Sequence, residues 1–280
     1  VGSEMCIRDR MSGVFEGGKF NGKCKDQVHD FGVSNPKELC QWRLGGTNAN
    51  KTAYALIDPY SREVYAAIYV HRSDKVRTDH MSMNDFLEGN VHKILHDEIR
   101  GLSAAPTSLI FYSISSFGKM AGEGEMLISK LYDQLNEQYS ADPNIVFSTL
   151  SPFRHFKAWL DHYNIDASNL SNDQLTNLAM QALVDTNRNL PKEAQDSVMR
   201  FHLSNGAEIY GIRVEANSED SLDAIKGHNI MIHYGYPEDS KRAANAKAFR
   251  ETGEIIFAPW VQSTMNSTVS TNQPARALHL

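Results

Sequence analysis

A buried strand, a glycine-rich loop and an amphipathic helix follow one another between residues 108 and 137, and no other segment limits the fold as much. Ser108-Leu-Ile-Phe-Tyr-Ser-Ile-Ser115 is rich in β-branched and aromatic residues and reads as a strand inside a sheet. Ser116-Phe-Gly-Lys-Met-Ala-Gly-Glu-Gly-Glu125 then holds three glycines in ten residues. Beyond it, Leu127, Ile128, Leu131 and Leu135 share one helical face, and Lys130, Asp133 and Glu137 the other. Such a chain needs a sheet with helices packed on it, a mixed α and β class. Glycines let backbone approach a ligand, and the first N–H groups of a helix carry partial positive charge, so the geometry suits a phosphate. The spacing matches neither the P-loop nor the dinucleotide fingerprint. A plain tight connection is the competing reading.

Two further segments each offer one reactive side chain. In Phe147-Ser-Thr-Leu-Ser-Pro152, Ser151 follows the apolar run Ile145-Val-Phe147, and Pro152 suits the first position of a helix. In Phe201-His-Leu-Ser-Asn-Gly-Ala207, Asn205-Gly206 reads as a hairpin turn with His202 at its start. A hydroxyl and an imidazole presented from strand ends can act as a proton-transfer pair at an acyl group. The competing readings are an N-cap for Ser151 and a surface or satisfied histidine for His202.

The remaining pattern alternates strands and helices around one sheet. Asn35 to Trp42 reads as a short helix, and Thr52–Ile57 with Val64–His71 as a hairpin joined by Asp58-Pro-Tyr-Ser-Arg62. Helices are expected at Val91–Ile99, Phe153–Tyr163, Asp173–Val184, Lys192–Met199, Ser218–Lys226 and Pro237–Glu251. Strands are expected at Ile230–Tyr236 and Ile255–Ala258. Val1 to Arg10 has the look of a non-native leader and is set aside from the fold, with the native chain expected to start near Met11. The tail after Gln262, rich in Ser, Thr and Asn, is expected to be mobile.

A chain of 280 residues with 41% hydrophobic and 22% charged content can bury a substantial core. Net charge of −6 without a dense Lys/Arg stripe argues against a nucleic-acid partner. Cys6, Cys24 and Cys40 form no metal-ligand set, so no metal is expected, and a reducing cytoplasm suits them. No apolar run approaches membrane-span length, no secretory signal is visible, and the C-terminal Leu280 ends no peroxisomal address.

Taken in order, these segments resemble malonyl-CoA decarboxylases. The resemblance rests on Phe111-Tyr-Ser-Ile-Ser115, the glycine loop, Thr149-Leu-Ser-Pro152, His202-Leu-Ser-Asn-Gly-Ala207, Met231-Ile-His-Tyr-Gly-Tyr236 and Ala248-Phe-Arg-Glu-Thr-Gly253, and it covers residues 35–262. It implies an α+β fold: a single GNAT-like acyl-CoA-binding domain with a central mixed β-sheet and a helical insertion between Ser151 and His202. Residues 1–34 would be leader and irregular N-terminus, 35–262 the catalytic domain, and 263–280 a polar tail. The family's separate N-terminal helical domain finds no room ahead of position 35, so a homo-oligomer is left open.

The resemblance also implies site residues. Ser151 and His202 would be catalytic, and Lys119, Met120, Ala121, Gly122, Glu123, Gly124 and Glu125 the coenzyme A loop. Arg154, Asn205 and Tyr236 would line the acyl pocket. The implied substrate is malonyl-CoA, converted to acetyl-CoA and CO2 without a cofactor, because the thioester carbonyl is the electron sink. Ser151, polarised by His202, would orient the carboxylate and accept its proton, and His202 would deliver a proton to carbon. Fatty-acid metabolism would follow as context. Three departures stand near the implied pocket: Phe153-Arg-His-Phe156 replaces Ile-Pro-Gly-Phe, Arg213-Val214 replaces Asn-Trp, and Gly235 stands where a larger residue is usual. Two other readings stay open: a GNAT-type acyltransferase with Glu123, Glu208 or Tyr236 as base, and a non-catalytic acyl-CoA-binding protein.

Overall fold

The computed structural model describes residues 6–9, 51–58, 60, 64–73, 108–116, 122–141, 145–186, 196–214, 230–259 and 261. Its centre is a seven-stranded mixed sheet. The strands are β1 (Cys6–Asp9), β2 (Lys51–Ile57), β3 (Val64–Ser73), β4 (Ser108–Ser116), β5 (Val146–Pro152), β6 (Glu208–Arg213) and β7 (Met231–Tyr236). Their spatial order is β1-β2-β3-β4-β5-β7-β6. Every neighbouring pair is antiparallel except β4 with β5. That parallel pair needs a crossover, and helix α1 (Glu123–Gln138) supplies it. The mixed α and β class and the central sheet are as expected. The segment Cys6–Asp9, set aside as leader, instead pairs with Tyr54–Ile57 at the edge of the sheet.

Helix α1 forms for the reason its pattern suggests. Leu127, Ile128, Leu131, Tyr132 and Leu135 recur at three- and four-residue spacing and are all buried. They meet Tyr54, Leu56, Ile68, Val70, Leu109, Phe111 and Phe147 in one continuous core. Burying each large apolar side chain contributes about 1.5–3 kcal/mol.

Between β5 and β6 the chain inserts α2 (Phe156–His162), α3 (Asn172–Thr186) and α4 (Ser197–Ser204). Phe153 and Phe156 are fully buried, their rings stacked at 5.6 Å, and Trp159 continues the stack at 6.1 Å. Trp159 Nε1 donates to Asp185 Oδ2 at 2.9 Å and so ties α2 to α3. The last helix, α5 (Asp239–Thr252), is capped by Glu238 at its start and by left-handed Gly253 at its end.

Three expectations are corrected. Asn205-Gly206 is not a hairpin turn: α4 runs through His202, Asn205 is its C-cap, and Gly206 takes φ +84° before β6 begins. A Cβ at Gly206 would lie 2.1 Å from the Arg242 carbonyl oxygen, so only glycine fits this close approach. The helix expected at Lys192–Met199 therefore lies further on, started by the N-cap Asp196. Phe257, expected within a strand, makes only an isolated bridge to Ile209. The helices expected at Asn35–Trp42, Val91–Ile99 and Ser218–Lys226 and the tail after Gln262 lie outside the described residues.

Candidate functional site

Strands β4 and β5 pair only through Ser108–Ile110 and Val146–Ser148 and then part. Thr149 Oγ1 still donates to the Phe111 carbonyl oxygen, but beyond it β4 is paired only to β3 and β5 only to β7. Ser151 sits on the β5 side of this opening, where β5 is paired only to β7. Pro152 is still part of the strand, which is tolerated because β5 behaves there as an edge. Helix α2 starts later, at Phe156, with His155 as its N-cap. Ser151 is therefore no helix cap, and its hydroxyl is available for other work.

That hydroxyl meets His202. Ser151 Oγ lies 3.0 Å from His202 Nε2, and His202 Nδ1 lies 2.7 Å from the Tyr236 hydroxyl. The three residues are 9%, 3% and 3% exposed, so the chain of contacts is almost dry. The imidazole stacks on Tyr234 at 4.5 Å and takes Phe201 edge-on at 5.1 Å. Burial alone lowers the His202 pKa from 6.5 to about 3 and raises that of Tyr236 above its ordinary value of 10. Near neutral pH the ring is thus uncharged, with one donor and one acceptor nitrogen. Either Tyr236 donates to Nδ1 while Nε2–H donates to Ser151, or Nδ1–H donates to Tyr236 while Ser151 donates to Nε2. Both arrangements satisfy every hydrogen bond, so a proton can shift along the line.

The glycine loop reaches the same place. Lys119, Met120 and Ala121 lie outside the described residues. Gly122 takes the left-handed conformation ahead of α1, and Glu123, Gly124 and Glu125 form the helix's first turn. A Cβ on Gly124 would stand 3.0 Å from Ser116 Oγ and 3.3 Å from the Phe201 ring, the neighbour of His202. The N-terminus of α1, with its outward N–H groups, therefore abuts the helix that carries the imidazole. Glu123 is buried there and Glu125 exposed.

The other expected residues fall in several places. Tyr236 holds the second nitrogen of His202, a more direct contact than the pocket lining expected of it. Asn205 Nδ2 donates to the Phe201 carbonyl at 2.7 Å and so closes the end of α4. Arg154 is half-buried in the turn three residues after Ser151. Glu208, considered as an acyltransferase base, is held by Lys241 Nζ at 2.6 Å and Asn245 Nδ2 at 3.1 Å.

Of the departures near the pocket, two turn away from the pair. Strand alternation puts Gly235 on the sheet face opposite Tyr234 and Tyr236. The Tyr210 ring from β6 lies across it, since a Cβ at Gly235 would be 2.0 Å from that ring. Arg213 is felt electrostatically by His233, a β7 residue of the same opposite face. Phe153 and Phe156 enter the core, which leaves Arg154 as the departure nearest Ser151.

Residues 164–275, which include His202 and Tyr236, match the family model for the malonyl-CoA decarboxylase C-terminal domain. Over those residues the chain is similar to the malonyl-CoA decarboxylase family. Solved malonyl-CoA decarboxylases share the fold. The enzyme from Agrobacterium vitis superposes with a TM-score of 0.61 at 20% identity, over 92% of this chain and 66% of that one. Those from Rhodopseudomonas palustris (0.62, 19%, 92% and 66%) and Cupriavidus metallidurans (0.60, 17%, 92% and 67%) agree. The chain thus spans about two thirds of the length of the structures it matches. No curated protein matches it. Among the described residues no helix is long and apolar enough to cross a membrane, and no cluster of His, Cys, Asp or Glu could hold a metal.

Proposed function

We propose that this chain decarboxylates malonyl-CoA to acetyl-CoA and CO2, with Ser151 and His202 as the proton-transfer pair. The observation that carries the reading is the buried line Ser151–His202–Tyr236 beside the opening between β4 and β5. An extended pantetheine arm suits a gap between parting strands, and the N-terminus of α1 suits the phosphates.

The reaction consumes one proton: malonyl-CoA with its free carboxylate plus H⁺ gives acetyl-CoA and CO2. The C2–carboxylate bond breaks, its electron pair moves into the thioester carbonyl, and C2 must then be protonated. His202, held neutral by burial, does not carry that proton at rest. An anionic carboxylate entering the dry site raises the proton affinity of the imidazole, so substrate and proton arrive together. The imidazolium passes the proton to C2 through the Ser151 hydroxyl, while Tyr236 keeps the ring oriented from Nδ1. The carboxylate has no proton to give Ser151 at neutral pH, so the hydroxyl's part is relay and orientation. Backbone N–H groups aimed at the thioester oxygen would stabilise the enolate by roughly 3–4 kcal/mol each. No cofactor is needed, because the thioester itself accepts the electron pair.

Incubation of the purified chain with malonyl-CoA tests the reading. Stoichiometric CO2 and acetyl-CoA are expected, with one solvent deuteron per methyl group in heavy water. Binding without CO2 release would point to the acyl-CoA-binding alternative, and acyl transfer to an added amine would point to the acyltransferase.

A further inference from the structure

Asp196 is one of the few buried carboxylates of the described chain, only 1% exposed, and it divides its oxygens between two segments. Oδ1 accepts from Val198 N at 2.9 Å and Met199 N at 3.1 Å, the free N–H groups at the start of α4. Oδ2 accepts from His155 N at 3.3 Å, in the turn that leaves β5. The first segment carries His202 and the second carries Ser151. Asp196 precedes His202 by six residues, about 9 Å of helix rise, and His155 follows Ser151 by four. One carboxylate thus fixes the start of the imidazole's helix against the turn behind the hydroxyl.

We infer that Asp196 is a positioning residue that sets the Ser151–His202 distance by clamping helix α4 to the β5–α2 turn. An N-cap needs one oxygen acceptor, and Ser, Thr, Asn or Asp serves. The second oxygen of Asp196 does something a cap does not require: it reaches a backbone N–H 41 residues away in sequence. Between Ser151 and His202 the chain passes through α2 and α3, and the direct contact of the pair is a single 3.0 Å hydrogen bond. Without a second tie, α4 could shift along the sheet by a few tenths of an ångström and lengthen that bond. The carboxylate also acts on Tyr234, whose ring stacks on His202, so it is close enough to be felt at the site.

Two substitutions separate the clamp from the cap. Asp196→Asn keeps an oxygen for α4 but turns an amide N–H toward the His155 N–H. Asp196→Ser keeps a cap oxygen and is too short to reach His155. The inference rests on the proposed reaction only for its turnover arm; the other arm is substrate-free. Nitrogen-15 NMR of labelled histidine in the free full-length chain, assigned with His202→Gln, reads the hydrogen bonds of the imidazole directly. In both folded variants the His202 signals should move. In the turnover arm kcat should fall about 10- to 100-fold with KM within twofold, as for a misplaced catalytic group. Unchanged His202 signals in folded Asp196→Asn and Asp196→Ser would overturn the inference. Global unfolding of both would overturn it too, by making Asp196 a general determinant of the fold. Absence of decarboxylation by the wild type would sink the proposed reaction and leave the NMR result to decide on Asp196.

Discussion

The Tyr236 hydroxyl is the smallest group on which the site's behaviour turns, because among the described residues it is the partner of His202 Nδ1. Tyr236→Phe leaves a buried nitrogen without a partner, which costs about 1–3 kcal/mol of stability. It also frees the ring's orientation, so kcat should fall about 10- to 100-fold. Urea unfolding and steady-state turnover on the same preparation check both. A second prediction concerns pH. His202 and His233 are both lowered to about 3 by burial, and His233 Nδ1 has no hydrogen-bond partner among the described residues. In the unfolded chain both return toward 6.5, so between pH 6.5 and 3 the unfolded state binds protons that the native state refuses. Each histidine should therefore remove about 1.4 kcal/mol of stability per pH unit as the pH falls through that window. His233→Leu should make the fall shallower than wild type, measured as unfolding free energy at pH 7 and pH 5. At this scale Ser151 and His202 could be read from the sequence as candidates. Tyr236 could be named, but not its contact with Nδ1, since that depends on which residues of β7 share the face of α4. Asp196 went unnoticed although Asp-Ser-Val-Met199 is an ordinary helix start, because an Asn-Gly pair nearby suggested a hairpin.

Among the elements, the meeting of α1 with α4 would, on the proposed function, set how the phosphate end of a substrate relates to its reacting end. Gly122 has φ +75° and a Cβ there would make only ordinary contact, with Glu125 Oε2 at 3.9 Å, whereas Gly124 is hemmed in by Ser116 and by Phe201. Gly122→Ala strains the backbone at the start of α1, and it should weaken coenzyme A binding about tenfold, or 1.4 kcal/mol, with kcat little changed. Gly124→Ala presses on Phe201 and through it on His202, so kcat should fall as well. Calorimetry with coenzyme A, set beside turnover, distinguishes the two. Equal affinity in wild type and Gly122→Ala would mean that the phosphates bind elsewhere. Helix α1 was legible because its apolar spacing is regular and its glycine loop stands next to a strand. Helix α4 is hard to place from sequence because it is only eight residues long and its end carries turn chemistry. Only the packing of Gly206 against Arg242 shows that the glycine ends a helix.

For the whole molecule, the sheet brings the two catalytic candidates together from positions 51 residues apart. The class of fold followed from the alternation of strands and helices, but the order β5-β7-β6 did not, since no local pattern says that β7 slips between its predecessors. That insertion matters, because it places Tyr234 and Tyr236 beside the imidazole. The central claim is that Ser151 and His202 act as one unit in releasing CO2 from malonyl-CoA. Single-turnover rates of CO2 release from malonyl-CoA by wild type, Ser151→Ala, His202→Ala and the double variant test it most directly. Each single change should lower the rate about 100-fold or more, and the double variant should lose little beyond the worse single one. Near-wild-type release by folded Ser151→Ala, or losses that simply multiply in the double variant, would contradict it.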